Sequence, residues 1–265
     1  MNTDFPLADR EVIVALDFDD RRAAEELVER LGDACGFYKI GLELLTAAGP
    51  DLARDLVERG HEVFLDLKLF EIPNSVAGAV RAAGALGASM VTVHGMGGTG
   101  IMSAAVEAAR EFPRLRVLAL TVVTSMTARD LADIGIEADT EEQVLRLARL
   151  AVGAGCDGVI ASPREAGVLR ALLGPERLIV TPGVTLGPDG ATGVTLGPGG
   201  STGVTLGPGG STGVTLGPGG STGGHARLGT PQAAFAAGAS HVVVGRSIAR
   251  AADPVAALRR ARAAC

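Results

Sequence analysis

Residues 63–75 bring an acid and a base close together on a stretch of chain that is otherwise mainly apolar. Side chains alternate along a strand, so Asp66 and Lys68 point to the same face, and Glu71 follows where this strand should end. Opposite charges on a buried strand face are costly unless they neutralise each other or act on a ligand. The pattern therefore leaves two interpretations open: a structural ion pair, or an acid–base pair that acts on a bound molecule.

Short apolar runs with the lengths of buried strands recur along the chain and alternate with helical patterns. They lack strict polar–apolar alternation, which is typical of parallel strands buried on both faces. Eight such units predict an α/β fold, a (β/α)8 TIM barrel made by one domain over residues 1–265. One continuous helix, ending at Arg59, is predicted between the second and third strands. The strands are predicted at 11–18, 37–41, from 63 onward, 90–94, 116–124, 158–162, 178–183 and 241–246.

Nearly every predicted strand carries a polar residue at or near its C-terminal end. Barrels of this class build their active sites at that end, so these side chains are expected to meet in one site. For His94 we favour packing or hydrogen bonding at the barrel mouth over a ligand role. The residues are Asp17, Lys39, Asp66, Lys68, His94, Thr124, Ser162, Thr181 and Arg246.

Composition excludes several classes of protein. A net charge of −6 argues against a nucleic-acid partner, which normally needs a basic face. The apolar runs are too short to span a membrane, and the N-terminal residues lack the pattern of a secretory signal. The three cysteines are far apart and form no CxxC pair, which argues against a zinc site or a disulfide framework. A cytoplasmic location is therefore expected.

Residues 184–224 interrupt the pattern, because 184–223 consists of four ten-residue units, VTLGPDGATG followed by three copies of VTLGPGGSTG. Their glycine and proline content argues against a helix, and they offer little apolar surface for a core. We interpret the segment as a Gly-rich loop inserted after the seventh strand, produced by repeat expansion or by engineering. Loop-closure entropy grows slowly with length, so a barrel can tolerate such an insertion. A phosphate-cradling role is less favoured because the terminal lysine of a P-loop is missing.

Seven short motifs, in order along the chain, resemble those of orotidine 5′-monophosphate decarboxylases. The most specific is the Asp66-x-Lys68-x-x-acid pattern followed by IPN at 72–74. A sister branch, which includes hexulose-phosphate synthases, shares Asp-x-Lys but continues differently and uses magnesium. The motifs are ALD at 15–17, YKIG at 38–41, LDLK at 65–68, VH at 93–94, TVVTSM at 121–126, TPGV at 181–184 and VGR at 244–246.

The resemblance implies a homodimer that converts orotidine 5′-monophosphate to uridine 5′-monophosphate and carbon dioxide in pyrimidine biosynthesis, without a metal or organic cofactor. Lys68 is implied as the proton donor to C6, and Asp66 as the neighbour of the substrate carboxylate. The other implied catalytic residues are Lys39 and Glu71. Substrate contacts are implied for Asp17, Lys39, Ile72, Ser75, Thr124, Ser125, His225, Gly245 and Arg246, with Glu71, Ile72 and Ser75 reaching into the partner's site.

Three positions depart from the family pattern. Glu71 stands where the family usually has Asp, Thr185 where an Arg usually holds the phosphate, and His225 where a Gln usually bridges phosphate and base. Arg227 is considered as a replacement for the missing Arg. The departures keep an alternative open, a catalytically impaired nucleotide-binding barrel of the same family. A magnesium-dependent enzyme of the sister branch is the third possibility.

Overall fold

Eight parallel strands close into a barrel in a computed structural model that describes residues 12–186 and 227–263. Each strand pairs with the next along the chain, and the first pairs with the eighth. A helix follows nearly every strand, so the sheet is covered on its outside. The predicted (β/α)8 barrel is confirmed.

The strands and helices are named here in chain order. The strands are β1 Val12–Ala15, β2 Phe37–Gly41, β3 Glu62–Leu69, β4 Met90–His94, β5 Arg116–Leu120, β6 Gly158–Ile160, β7 Leu178–Thr181 and β8 His241–Val244. The α-helices are α1 Arg21–Leu31, α2 Leu42–Ala48, α3 Asp51–Glu58, α4 Pro73–Ala85, α5 Gly98–Ala109, α6 Ala128–Asp133, α7 Thr140–Gly153, α8 Ala166–Leu173, α9 Pro231–Ala236, α10 Arg246–Ala249 and α11 Pro254–Arg262.

Three sequence-based predictions about individual elements are wrong. The single helix expected after β2 is two helices, because Gly49 adopts φ 73° and ends α2 before Pro50, which has no N–H to donate. The fifth strand stops at Leu120, so Thr124 lies in a loop rather than on a strand. Similarly, β8 ends at Val244, and Arg246 is the first residue of α10.

The apolar side chains form two separate layers. The inner layer fills the barrel and includes Ile13, Phe37, Phe64, Leu118 and Val180. The outer, larger layer lies between the strands and the surrounding helices. Successive residues of β3 alternate between them: Phe64 packs inside the barrel, whereas Val63 and Leu65 pack outside. Asp66 has the same parity as Phe64 and is therefore directed to the barrel interior.

Several helices begin at a side chain that accepts a hydrogen bond from the first turn. Asp20, Asp139 and Asp253 cap α1, α7 and α11, and Thr230 caps α9. Such caps satisfy backbone N–H groups that have no partner within the helix. None of the helices in the described ranges is both long and apolar enough to cross a membrane.

The start of the first repeat unit is held against the chain that follows the repeats. Val184 and Gly229 form a parallel β-bridge, in which the Thr185 N–H donates to the Gly229 carbonyl at 3.0 Å and the Gly229 N–H donates to the Gly183 carbonyl at 3.1 Å. The strands before and after this bridge, β7 and β8, pair directly with each other in the closed barrel. The predicted Gly-rich loop, apart from residues 184–186, lies outside the described residues.

A methyl group at Gly158 should destabilise the barrel. An alanine Cβ there would lie 2.6 Å from Cβ of Leu178 and would also collide with the Leu178 carbonyl oxygen on the paired strand. We expect Gly158→Ala to lower the free energy of unfolding by about 1–3 kcal/mol, measured by urea denaturation. Gly153→Ala is the matched control, because a Cβ on this exposed residue of α7 meets no atom within 4 Å and should be neutral or stabilising. Equal effects of the two changes would contradict the prediction.

Candidate active site

Four side chains of alternating charge lie in a row across the C-terminal ends of β1, β2 and β3. Nζ of Lys39 lies 2.9 Å from Oδ1 of Asp17 and 3.9 Å from Oδ2 of Asp66. Nζ of Lys68 lies 2.8 Å from the same Oδ2 of Asp66. The predicted acid–base pair is therefore part of a larger network, Asp17–Lys39–Asp66–Lys68, in which each charge neighbours an opposite one.

A local irregularity of β3 places Lys68 in this network. The pairing of β3 with β4 shifts between Leu65, opposite Val91, and Leu69, opposite Val93, so β3 carries extra residues at this point. Lys68 adopts φ 49°, which is uncommon for a residue with a Cβ. Bulges of this kind re-aim side chains beside functional sites. The bulge, and not regular alternation alone, therefore sets the direction of the Lys68 side chain.

Thr92, on β4, holds the bulge in place. Its hydroxyl donates to Oδ1 of Asp66 at 3.0 Å and accepts the Lys68 backbone N–H at 2.8 Å. The residue is fully buried. One hydroxyl thus orients the carboxylate and satisfies the backbone of the lysine beside it, which would otherwise lack a partner.

The charged network lines one side of a cavity of about 570 Å³. This volume is typical of sites for small ligands. Leu120, Val123 and Ile160 form an apolar wall. The segment 182–186 also lines the cavity, together with residues in and beside α10, which are Gly245, Arg246, Ser247 and Arg250. The cavity can therefore hold a molecule with one flat or apolar part and anionic groups.

Similarity to known proteins identifies the family. A family model described as "Orotidine 5'-phosphate decarboxylase / HUMPS family" matches residues 10–206 and 208–261. The chain belongs to this family. The resemblance found in the sequence motifs is confirmed.

Individual relatives agree with the family match. Orotidine 5'-phosphate decarboxylase from Moorella thermoacetica is 43% identical over 255 residues, which cover 94% of this chain and 89% of the relative. The protein of that name from Rhodopseudomonas palustris is 44% identical over 254 residues, covering 96% and 92%. A crystal structure of orotidine 5'-phosphate decarboxylase from Lactobacillus acidophilus superposes with a TM-score of 0.76 at 32% identity, covering 97% of this chain and 99% of that one.

The cavity brings together most, but not all, of the predicted site residues. Seven line it: Asp17, Lys39, Asp66, Lys68, Thr124, Gly245 and Arg246. Ser125 is exposed in the same loop as Thr124 and does not line the cavity. His225 lies outside the described residues. The roles of all these residues remain predictions.

Glu71, Ile72 and Ser75 are not part of this cavity. Glu71 and Ile72 border a shallow surface pocket with Phe70 and Ile101, and the Glu71 carboxylate accepts the Ile72 N–H at 2.7 Å. Ser75 is exposed on α4. Within one chain, these three residues therefore have no contact with the charged network.

Arg227, considered above as a phosphate contact, binds other parts of the protein instead. Its side chain is largely buried, and Nε lies 2.8 Å from Oε1 of Glu165, forming an ion pair. Its Nη1 and Nη2 donate to the carbonyls of Met126 at 2.6 Å and Val122 at 3.3 Å. Arg227 thus connects the chain that follows the repeats to the loops after β5 and β6, and it does not line the cavity.

Glu165 also anchors Ser162. The carboxylate accepts hydrogen bonds from the backbone N–H of Ser162, at 2.8 Å, and from its hydroxyl. Both residues are buried. Ser162 is therefore part of the scaffold of the barrel mouth. Thr181 has a comparable role, because its hydroxyl donates to the His241 carbonyl at 3.3 Å.

His94 packs at the barrel mouth, as the sequence favoured. Its Nδ1 accepts the Met96 N–H at 3.2 Å, and its ring lies 5.6 Å from the ring of Phe70. Burial, and to a lesser extent the positive charge of Lys68, lower the pKa of His94 below its usual range. The ring is therefore neutral at pH 7. Among the described residues, no cluster of three or more His, Cys, Asp or Glu side chains could hold a metal ion.

Sequence reasoning missed Thr92, Glu165 and Arg250. A threonine within the apolar run 90–94 is a weak signal, because β-branched residues are common in strands. Glu165 follows Ser162 at the spacing of one helical turn, and Arg250 follows Arg246 at the spacing that brings two side chains to one helix face. Both spacings could have predicted from the sequence that the two residues of each pair lie close together.

Replacing Thr92 with valine tests its dual role. Thr92→Val keeps the shape of the side chain but leaves an Asp66 oxygen and the Lys68 N–H without their partner. We expect the free energy of unfolding to fall by about 1–3 kcal/mol, measured by chemical denaturation. Thr92→Ser retains the hydroxyl and should lose less. A serine variant that is as unstable as the valine variant would show that the methyl group, not the hydrogen bonds, matters.

Proposed function

We propose that the protein decarboxylates orotidine 5′-monophosphate to uridine 5′-monophosphate. The observation that carries this proposal is the Asp66–Lys68 pair within the alternating network, facing a ligand-sized cavity in a member of this family. The relatives that bear the name of this activity cover nearly the whole chain. We propose cytoplasmic pyrimidine biosynthesis as its setting, since Cys35 and Cys156 are free thiols.

Lys68 supplies the proton in the proposed reaction. The bond between C6 and the carboxylate breaks, carbon dioxide leaves, and the electron pair remains on C6. The Lys68 ammonium stabilises this developing carbanion and transfers a proton to C6, after which the neutral amine regains a proton from solvent. A cation that is already in position before the reaction needs no rearrangement in the transition state, which is the main source of such stabilisation.

Asp66 contributes through its fixed position. Its two oxygens contact Thr92 and Lys68, so the carboxylate cannot turn away when an anionic substrate binds. Its repulsion of the substrate carboxylate is relieved as neutral carbon dioxide forms.

The remaining cavity residues are proposed to hold the substrate. Asp17 and Lys39 bind the ribose hydroxyls, Thr124 contacts the pyrimidine, and Gly245 and Arg246 bind the phosphate. The phosphate is remote from C6, and its binding energy is available for positioning the reacting part. Thr185 borders the cavity without a charge, so phosphate affinity is expected to be weaker than with arginine there.

A homodimer completes the proposed site. Phe70 and Ile72 are large apolar residues that are 61% and 62% exposed in the single chain, an arrangement that favours burial by another surface. They adjoin Glu71 and the start of α4. We propose that a second copy covers this surface and receives Glu71, Ile72 and Ser75 at the edge of its own cavity.

Decarboxylation of orotidine 5′-monophosphate, followed by ultraviolet absorbance with EDTA present, tests the reaction. We expect turnover that EDTA does not reduce, and a decrease in kcat of at least about 10²–10⁴-fold in Lys68→Met, because the proton donor is removed. Uridine 5′-monophosphate should still bind to that variant. A folded wild type that binds this nucleotide but shows no turnover would leave the impaired nucleotide-binding barrel, and loss of activity with EDTA would favour the magnesium-dependent branch.

Mixing two inactive variants tests the shared site. Lys68→Met and Glu71→Ala should each be nearly inactive alone. If Glu71 acts in the partner's cavity, mixed dimers contain one site with both residues intact, and equimolar mixing after subunit exchange should restore about a quarter of wild-type activity. No recovery, in samples where mixed dimers are shown by mass spectrometry, would place Glu71 outside the partner's site.

A further inference from the structure

Positive charge is distributed unevenly in the cavity. Four cations line it, and two of them, Lys39 and Lys68, pair with the carboxylates of Asp17 and Asp66. The other two, Arg246 and Arg250, form no ion pair with any residue in the described ranges. The side of the cavity next to α10 therefore carries two uncompensated positive charges.

The backbone places these two arginines on the same side of one helical turn. The Arg250 N–H donates to the Arg246 carbonyl at 3.0 Å, so the two residues are related by helical spacing, and both line the cavity. Like charges four residues apart repel each other and destabilise a helix. An anion between the two side chains removes this repulsion.

The neighbouring segment cannot supply a compensating charge. The Leu186 N–H donates to the Ser247 hydroxyl at 3.2 Å, which holds the segment 182–186 against α10. Thr185, the polar side chain of that segment at the cavity, is neutral. Arg246 and Arg250 are both exposed where they line the cavity, so an anionic ligand can reach them.

We propose that Arg250 is a second phosphate-binding residue, which together with Arg246 holds the phosphate monoester of the substrate. This inference rests on the proposed function and adds a residue to it. A phosphate monoester carries a charge of about −1.5 to −2 at neutral pH, which one guanidinium does not neutralise. Two planar guanidiniums offer paired N–H groups to its three terminal oxygens.

The test compares ligands with and without phosphate in Arg250→Gln. We expect the Kd of uridine 5′-monophosphate to rise by about 10- to 100-fold, because a charge-assisted contact is lost. The Kd of uridine, which has no phosphate, should stay unchanged. The kcat/KM for orotidine 5′-monophosphate should fall in parallel. Arg250→Lys, which keeps the charge but not the paired donors, should show an intermediate loss.

Arg260→Gln is the matched control, because this exposed arginine of α11 does not line the cavity. It should change none of these constants. Adding Thr185→Arg to Arg250→Gln should restore part of the affinity for uridine 5′-monophosphate by returning one positive charge. Circular dichroism melting of each variant separates binding effects from unfolding.

Three results would overturn the role of Arg250. The first is that the constants of Arg250→Gln match those of Arg260→Gln. The second is that Arg250→Gln loses as much affinity for uridine as for uridine 5′-monophosphate, and the third is that the wild type binds uridine 5′-monophosphate no better than uridine. The proposed reaction fails on a different result, the absence of turnover in the wild type. In that case the comparison of the two binding ligands still decides whether Arg250 binds phosphate.

Discussion

The barrel mouth depends on the alternation of charge in Asp17–Lys39–Asp66–Lys68. Lys39 and Asp66 are almost buried, with 9% and 13% of their side chains exposed, so each needs an opposite charge nearby. Removing one member of a buried pair typically costs about 3–5 kcal/mol, because the other is left unpaired. The two interpretations of the sequence are therefore compatible, since the groups that neutralise each other are also the groups positioned to act on a substrate.

The supporting structure keeps this network in a single arrangement. The bulge in β3, the unusual backbone of Lys68 and the hydroxyl of Thr92 all act on the same two side chains. A local backbone conformation that is unfavourable by itself persists only where its surroundings determine it, and such positions cluster at functional sites. Here the surrounding constraint comes from the neighbouring strand β4, not from β3 itself.

Much of the fold could be predicted from the sequence because its signals are local and repeated. Apolar runs identify all eight strands, and the position of Asp17, Lys39 and Asp66 at strand ends predicts that they meet. The rest depends on contacts between distant residues. Nothing near Lys68 indicates a bulge, and Arg227 is held by a carboxylate 62 positions earlier in the chain, which spacing alone does not reveal. The early end of β5 and the break at Gly49 show that strand and helix lengths are set by packing and by single residues.

Because Val184 and Gly229 form a bridge, the integrity of the barrel does not depend on the length of the chain between them. The two hydrogen bonds of the bridge join the start of the first repeat unit to the chain that follows the repeats, and Arg227 connects that following chain to two neighbouring loops. The same two chain segments are therefore anchored to the barrel, whatever number of ten-residue units connects them. Because the entropy of closing a loop rises only with the logarithm of its length, gain or loss of a unit changes folding stability little. The stability of the barrel therefore constrains the number of units only weakly, whereas it constrains the residues at both anchors strongly.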